Sequence, residues 1–193
     1  MSLILASASP RRAQLLEQIG VAFTVCPQAL DESRVGGESP ADYVTRLARA
    51  KAQQAWAWAA DDSARVALGA DTIVTLDDDL LGKPDRREAA IEMLLRLSNR
   101  THEVLTGVAV ASGEGTKLAL NRNVVRFCPI SLEQAQAYWA TGEPVDKAGG
   151  YAIQGMGGLF VEYLQGSYSG VVGLPLFETA VLLRAVGIPV LAD

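Results

Sequence analysis

The hydrophobic pattern at the start of the chain predicts a strand, a helix and a second strand. Residues 3–6 form a short apolar run of the kind found in buried strands. The Ser-Ala-Ser-Pro segment at 7–10 is a helix-start signal, and three apolar positions, 15, 16 and 19, give the next helix one apolar face that ends at Gly20. A second strand is predicted over 21–26.

A long helix is predicted after a polar loop around 31–34. Ser39 is placed as its N-cap and Pro40 at its first helical position, which are the positions that these residue types favour. The pattern predicts that this helix runs through Lys51 toward residue 60.

The following segment predicts a buried strand and a hairpin. Residues 66–76 are strongly apolar, but the Gly-Ala-Asp-Thr segment at 69–72 is expected to interrupt the strand. Three aspartates at 77–79 look like the tip of a hairpin, and a solvated turn explains them better than a metal site does.

The second half of the chain mixes helical and β-prone segments. Helices are predicted over about 85–98, 133–140 and 174–186, strands over 102–111, 117–127 and 159–164, and a glycine-rich loop over 149–158. No internal repeat or long linker divides the chain. The pattern therefore predicts an α/β fold in which helices pack around a mixed sheet.

Composition narrows the class of protein. The chain has 193 residues, of which 49% are hydrophobic and 20% charged, and a net charge of -5. This is the balance of a packed globule, and it opposes binding to nucleic acid or to a membrane surface, which favour a broad basic face. No apolar run approaches the roughly 20 residues of a membrane span, and the N-terminus does not read as a secretory signal, so a cytoplasmic protein is expected.

The cysteines and the histidine restrict the possible chemistry. Cys26 and Cys128 lack metal-ligand spacing and are predicted to be reduced thiols in the core. His102 is the only histidine, so the chain has no cluster of histidines to bind a metal, and a Ser-His-Asp triad would have to use this one residue.

Two arginines in the first turn of the first helix are unusual. Arg11 and Arg12 face the positive end of the helix dipole, which is unfavourable by roughly 0.3–1 kcal/mol for each charge. Because free N–H groups at a helix start attract anions, these guanidiniums with the nearby serines predict a phosphate site. The alternative is that both arginines point to solvent beside Glu17.

A carboxylate inside an apolar segment is a second candidate. Asp71 would be costly to bury unless it is paired, hydrogen-bonded or metal-bound. It could hold Mg²⁺ or deprotonate a water, and the alternative is a structural aspartate that satisfies a turn.

Isolated lysines and a glycine-rich loop complete the candidates. Lys51, Lys83 and Lys147 each stand beside small residues, and a triphosphate needs several converging cations, although any one lysine is more simply a surface residue. The glycines of 149–158 fit either close approach to a ligand or tight chain crossing in the core.

Seven segments, taken in order, resemble the Maf family of nucleotide pyrophosphatases. They are Leu-Ala-Ser-Ala-Ser-Pro-Arg-Arg at 5–12, Asp-Glu at 31–32, Arg-Leu-Ala-Arg-Ala-Lys at 46–51, Gly-Ala-Asp-Thr at 69–72, Gly-Lys-Pro at 82–84, Asp-Lys-Ala-Gly-Gly-Tyr-Ala-Ile-Gln-Gly at 146–155 and Gly-Ser-Tyr-Ser-Gly-Val-Val-Gly-Leu-Pro at 166–175. The resemblance implies one domain over 1–193, with a two-lobed fold similar to the inosine triphosphate pyrophosphatases and an active site in the inter-lobe cleft. It also implies a homodimer.

The same resemblance implies hydrolysis of a nucleoside triphosphate to the monophosphate and pyrophosphate, with Mg²⁺ or Mn²⁺ as cofactor. Asp71 would accept the proton of the attacking water, and Glu32 with Asp71 would bind the metal. The phosphates would be held by five residues: Ser9, Arg11, Arg12, Lys51 and Lys83.

Substrate choice is expected to depend on Thr72 and Gln154, with Arg11 as a third position. Thr72 and Gln154 match the branch of the family that acts on dTTP and UTP, and modified pyrimidine nucleotides are expected substrates too. A neutral amide such as that of Gln154 can donate to O4 and accept from N3–H of uracil or thymine. The alternatives are a 7-methyl-GTP pyrophosphatase and a nucleotide-binding regulator of septum formation.

Overall fold

The computed structural model describes residues 2–58, 65–77 and 79–191. The strands are β1 (Ser2–Leu5), β2 (Thr24–Val25), β3 (Arg65–Leu76), β4 (Asp79–Leu81), β5 (Thr101–Ser112), β6 (Gly115–Phe127) and β7 (Val161–Gln165). The helices are α1 (Pro10–Gln18), α2 (Pro40–Trp58), α3 (Arg87–Leu97), α4 (Leu132–Ala140), α5 (Tyr168–Val172) and α6 (Leu176–Arg184). Two short 3-10 segments cover Ala148–Gly150 and Met156–Phe160.

The strands form one mixed sheet. Its order is β2-β1-β3-β5-β6-β7, and β4 pairs with β3 outside this path. β1 runs parallel to both β2 and β3, whereas β3 with β4 and β6 with β7 are antiparallel. Parallel neighbours need a crossover, and α1 and α2 lie in the two connections concerned. The predicted mixed α/β fold is confirmed.

The chain divides into two compact units. The first comprises Met1–Asp71, Thr106–Asn121 and Gly173–Asp193, and the second comprises Thr72–Leu105 and Arg122–Val172. This division into two compact units agrees with the predicted two-lobed organisation.

β3 is one continuous strand of 12 residues, of which 65–71 belong to the first unit and 72–76 to the second. The predicted interruption at 69–72 is therefore wrong. Gly69 is present because α2 crosses β3 there: a Cβ on this residue would lie 2.6 Å from the backbone nitrogen of Ala52. Gly107 of β5 has the same relation to α2, since its Cβ would lie 2.6 Å from the carbonyl oxygen of Val44. Both glycines serve close packing of helix on sheet.

The core of the second unit is aromatic around a buried histidine. His102 packs edge-on against Phe127, with ring centroids 4.8 Å apart, and its Nε2 lies 2.9 Å from the Tyr151 hydroxyl. Burial lowers the pKa of His102 from its ordinary value of 6.5 to about 4. Burial also raises the pKa of Tyr151, so the tyrosine does not titrate in the same range.

We expect the free energy of unfolding to fall in mild acid because of His102. The unfolded chain binds a proton at His102 below pH 6.5, but the folded chain binds it only near pH 4. Stability present above pH 6.5 is thus lost as the pH falls to 4, by about 3 kcal/mol. Urea unfolding of the wild type and of His102→Leu at pH 7, 5.5 and 4.5 measures this loss.

The difference in free energy of unfolding between the wild type and His102→Leu isolates the contribution of the histidine to the pH dependence. Carboxylates contribute equally to both, and the lost hydrogen bond to Tyr151 gives an offset that does not change with pH in this range. Parallel pH profiles for wild type and variant would contradict the assignment.

Several predicted boundaries change. The strand predicted over 21–26 contains only Thr24–Val25, and the helix predicted over 174–186 is the shorter α6, preceded by the unpredicted α5. Residue 60 lies outside the described residues. Cys26 and Cys128 are free, as predicted, but half-buried rather than in the core. Among the described residues, no helix combines the length and apolar character that crossing a bilayer requires.

Candidate active site

Two carboxylates and one ammonium meet in the first unit. The Lys51 Nζ lies 2.7 Å from the Asp71 Oδ1 and 2.7 Å from the Glu32 Oε1. Lys51 and Asp71 are 8% and 9% exposed, whereas half of the Glu32 side chain is open to solvent. The ammonium donates to both acids, and it offsets the charge of an aspartate that would be costly to bury alone.

The packing of α2 on β3 explains this contact. Gly69 and Asp71 are two residues apart in one strand, so they point to the same face of the sheet, and α2 covers that face. The Lys51 Cβ would lie only 3.1 Å from a Cβ added to Gly69. A side chain at position 69 would therefore push α2 away, and its absence lets Lys51 reach Asp71.

The loop that carries Glu32 is tied to α2 by two side chains. The Tyr43 hydroxyl donates to the Glu32 carbonyl over 2.8 Å, and Arg46 donates to the Ser33 carbonyl over 3.1 Å. Arg46 also forms an ion pair with Glu38 at 2.6 Å, farther along the same loop. Tyr43 and Arg46 were given no role from the sequence, although Arg46 begins the 46–51 segment and the two residues are three positions apart along one helix.

The start of α1 has no side-chain cap. Ser9 is the N-cap residue, but its hydroxyl makes no capping bond, and the first turn contains no acidic residue. Instead the buried Ser7 accepts two hydrogen bonds, from the Ser9 backbone nitrogen at 3.2 Å and from the Arg12 Nη1 at 3.1 Å. Ser7 thus holds the Ser9 backbone and the Arg12 side chain in place. The sequence alone shows only an ordinary helix start here and does not reveal this role.

Arg12 is fixed from two sides and lies in the field of the acidic pair. Its Nε donates to the Gly173 carbonyl over 2.8 Å. Burial lowers the pKa of Arg12, and Asp71, Glu32 and the neighbouring Arg11 all contribute to its electrostatic environment. The alternative in which Arg12 points to solvent is therefore wrong, and a positive charge stands near the two carboxylates.

The oxygen ligands present suit a divalent cation. Glu32 and Asp71 direct one carboxylate oxygen each toward the same point, now taken by the Lys51 ammonium. Mg²⁺ is commonly bound by one or two carboxylates together with substrate phosphates, and these two side chains are of the type that fits such an ion. Within the described ranges no group of three or more His, Cys, Asp or Glu side chains forms a ready-made metal cage.

In the second unit, the Gly-Lys-Pro segment lies against the glycine-rich segment. The Gly149 nitrogen donates to the Gly82 carbonyl over 3.1 Å, and a Cβ on Gly149 would lie 3.0 Å from that of Val74. Lys83, next to Gly82, is exposed. The Lys147 Nζ donates to the Val145 carbonyl over 3.1 Å.

Gln154 lies exposed in a turn of the same unit. The Gly155 nitrogen closes this turn on the Ala152 carbonyl at 3.1 Å. A Cβ on Gly157 would lie 2.5 Å from the Tyr138 hydroxyl. The missing side chain therefore leaves the space that Tyr138 occupies. Of the two readings of the glycine-rich loop, tight chain crossing accounts for these contacts.

Comparison with known proteins assigns the chain to a family. A family model described as a Maf-like protein matches residues 2–186. The chain belongs to the Maf family. A relative from Pseudoalteromonas atlantica is 52% identical over 94% of this chain and 95% of its own, and one from Hahella chejuensis is 48% identical over 99% and 95%. Both relatives are named dTTP/UTP pyrophosphatase.

Two solved structures share part of the fold at low sequence identity. The nucleoside-triphosphatase, or dITP/XTP pyrophosphatase, of Mycobacterium abscessus has a TM-score of 0.43 and 18% identity over 67% of this chain and 76% of its own. The Ham1 protein of Staphylococcus aureus has a TM-score of 0.45 and 15% identity over 66% and 72%.

The Maf-family residues named from the sequence are distributed over both units. Lys51 contacts both Asp71 and Glu32, and Ser9, Arg11 and Arg12 belong to the same unit. Thr72, which is half-buried and follows Asp71 in β3, belongs to the second unit with Lys83 and Gln154.

Proposed function

We propose that this Maf protein hydrolyses dTTP and UTP to the monophosphate and pyrophosphate. The observation that carries the proposal is the buried Asp71 carboxylate, held 2.7 Å from the Lys51 ammonium with Glu32 beside it. This places an acid, a cation and a second acid together in a chain whose relatives bear the name of that activity.

Asp71 is assigned as the proton acceptor. A water oxygen attacks the α-phosphorus, the bond from that phosphorus to the oxygen bridging the β-phosphate breaks, and pyrophosphate leaves while Asp71 takes the proton of the water. General base catalysis of this kind contributes about 10²–10⁴-fold to a rate. We assign Lys51 to stabilise the negative charge that develops on the phosphate during the attack.

The triphosphate is assigned to the remaining cations. The Ser9 hydroxyl, which makes no capping bond, and the first N–H groups of α1 favour an anion, and Arg11 and Arg12 supply planar donors that suit phosphate oxygens. Lys83 is assigned to the phosphates as well. Charge neutralisation and in-line positioning are the main requirements of such a reaction.

Glu32 and Asp71 are the residues that would hold a divalent cation, Mg²⁺ or Mn²⁺. When bound, the cation supplies charge neutralisation at the phosphate oxygens. Both side chains offer hard carboxylate oxygens, and the half-exposed Glu32 can adjust to such a ligand while Asp71 stays buried.

Base selection is assigned to Gln154, with Thr72 and Arg11 as further positions. An exposed neutral amide matches both the O4 acceptor and the N3–H donor of uracil and thymine, and related modified pyrimidines share this edge. We further propose that residues 1–193 form one nucleotide pyrophosphatase domain and that the protein works as a homodimer. Its place of action would be the cytoplasm, where free nucleoside triphosphates are available.

The experiment that tests the function is pyrophosphate release with Mg²⁺ or Mn²⁺ across dTTP, UTP, CTP, dATP, GTP and 7-methyl-GTP. We expect turnover of dTTP and UTP, and we expect Gln154→Glu to lower kcat/KM for UTP by about 10-fold or more, because a carboxylate accepts hydrogen bonds but cannot donate to O4. Activity of the variant toward 7-methyl-GTP should rise.

Two outcomes oppose the proposal in different ways. Preference of the wild type for 7-methyl-GTP would keep the reaction and overturn the assigned base. Absence of pyrophosphate release from every nucleotide, by protein that still binds UTP, would favour a nucleotide-binding regulator.

A further inference from the structure

The Glu143 carboxylate gathers three hydrogen bonds beside the Gln154 turn. Its Oε1 accepts from the Tyr138 hydroxyl at 2.7 Å and from the Gly157 nitrogen at 2.9 Å, and its Oε2 accepts from the Met156 nitrogen at 2.9 Å. Two of these donors are consecutive backbone amides that follow Gln154 by two and three residues. The carboxylate therefore binds the backbone that leaves the turn.

Tyr138 holds the other end of the same turn. Its hydroxyl accepts from the Ala152 nitrogen at 3.0 Å while it donates to Glu143. The residues on both sides of Gln154 are thus attached to one hydrogen-bonded pair, and Gln154 itself stays exposed between them. Tyr138 is buried in the hydrophobic core of its unit, so the pair connects the turn to that core.

Two glycines allow this close approach. A Cβ on Gly155 would lie 2.6 Å from the Glu143 Oε1, and a Cβ on Gly157 would lie 2.5 Å from the Tyr138 hydroxyl. Any other residue at either position would displace the carboxylate or the tyrosine. The glycines at 155 and 157 therefore leave the space that the Glu143 and Tyr138 side chains occupy.

The charge state of Glu143 matches its contacts. Burial alone would raise the pKa of Glu143, but hydrogen bonds from Tyr138, Gly157 and Met156 outweigh it and lower the pKa below its ordinary value of 4.5. All three partners are donors, so an ionised carboxylate satisfies every one of them.

We propose that Glu143 is a positioning residue for base selection: with Tyr138, it holds the backbone on both sides of Gln154 so that the Gln154 amide meets the pyrimidine edge. This inference depends on the proposed function, in which Gln154 contacts the base. A mobile turn would have to become ordered each time a substrate binds, and affinity would fall by the cost of that ordering.

A double-mutant cycle in the full-length protein tests the proposal, with kcat and KM for UTP as readouts. The variants are Glu143→Gln, Gln154→Ala and the double variant. In the Glu143→Gln variant the new amide group presents its own N–H donors to Tyr138, Gly157 or Met156, so at least one contact becomes repulsive. The matched control is Glu162→Gln, the same chemical change at an exposed ion pair with Arg126 in this unit.

We expect Gln154→Ala to raise KM about 10-fold and Glu143→Gln about 5-fold, with kcat within about twofold of the wild type in both, as for lost ground-state binding. If Glu143 acts through Gln154, the double variant should have a KM about 10-fold above wild type, since the second change has nothing left to disturb. Glu162→Gln should leave KM unchanged. Tyr138→Phe, which keeps the ring and removes the shared hydroxyl, should behave as Glu143→Gln does.

Independent effects in the cycle, with a KM about 50-fold above wild type in the double variant, would overturn the positioning role while the proposed function stands. An unchanged KM in Gln154→Ala would instead remove Gln154 from base selection, and the inference would fall with it. A drop in kcat alone in Glu143→Gln would also oppose the proposal, because it would indicate a general structural effect.

Discussion

Replacement of Asp71 by asparagine should lower kcat for UTP by about 10²–10⁴-fold while nucleotide binding is retained. Asparagine keeps the shape of the side chain, and its amide oxygen can still accept the hydrogen bond that Lys51 donates at 2.7 Å. A neutral amide cannot take a proton from the attacking water, so the loss should appear in kcat. Pyrophosphate release measures turnover, and calorimetric titration with UTP measures binding.

Asp79→Asn is the matched control. Asp79 is exposed, and its ion pair with Arg96 at 2.8 Å lies on the surface, where such pairs contribute little. The same chemical change there should leave kcat within about twofold of the wild type, as surface changes generally do. Wild-type turnover in Asp71→Asn would show that the Asp71–Lys51 pair is structural and that another group accepts the proton.

Replacement of Lys51 by methionine should lower both activity and stability. The buried Asp71 would lose its ammonium, and leaving one charge of a buried pair without its partner costs about 3 kcal/mol or more. We also expect kcat for UTP to fall by about 10²-fold, because the cation nearest to the acceptor carboxylate is gone. Urea unfolding and pyrophosphate release measure the two effects.

A second substitution separates the two effects. In Lys51→Met/Asp71→Asn the uncompensated charge is removed, so the free energy of unfolding should recover by most of the loss, whereas turnover should stay absent. Lys117→Met, at an exposed lysine of β6, is the control for removing a lysine charge. Equal stability of the single and double variants would contradict the charge argument.

Signals that act within a few residues were read correctly from the sequence. Ser39 caps α2 by accepting from the Asp42 nitrogen at 3.2 Å, and the predicted hairpin tip is confirmed by Asp77 and by Asp79, which pairs with Leu76, while Asp78 lies outside the described residues. In both cases the groups that satisfy the backbone are neighbours in the chain. Residue types alone are then enough to predict the local structure.

Gly69 shows where local reading fails. A glycine inside an apolar run is ordinarily a sign of a turn or a bulge, and here it predicted an interruption of the strand. Its cause lies at Ala48 and Ala52 of α2, whose backbone occupies the space of the missing side chain. The same limit applies to the glycines at 155 and 157, whose partners are Glu143 and Tyr138.

Residue order and residue type were sufficient to assign this chain to the Maf family and to name the groups that could carry its chemistry. The fold was needed to show that Lys51 and Asp71, 20 residues apart, share a hydrogen bond, and that Arg12 reaches Gly173 across 161 residues of chain. The physical reason is range. Capping, turn and periodicity preferences act over one or two turns of chain, whereas these contacts exist because strand pairing and the packing of α2 bring distant segments together.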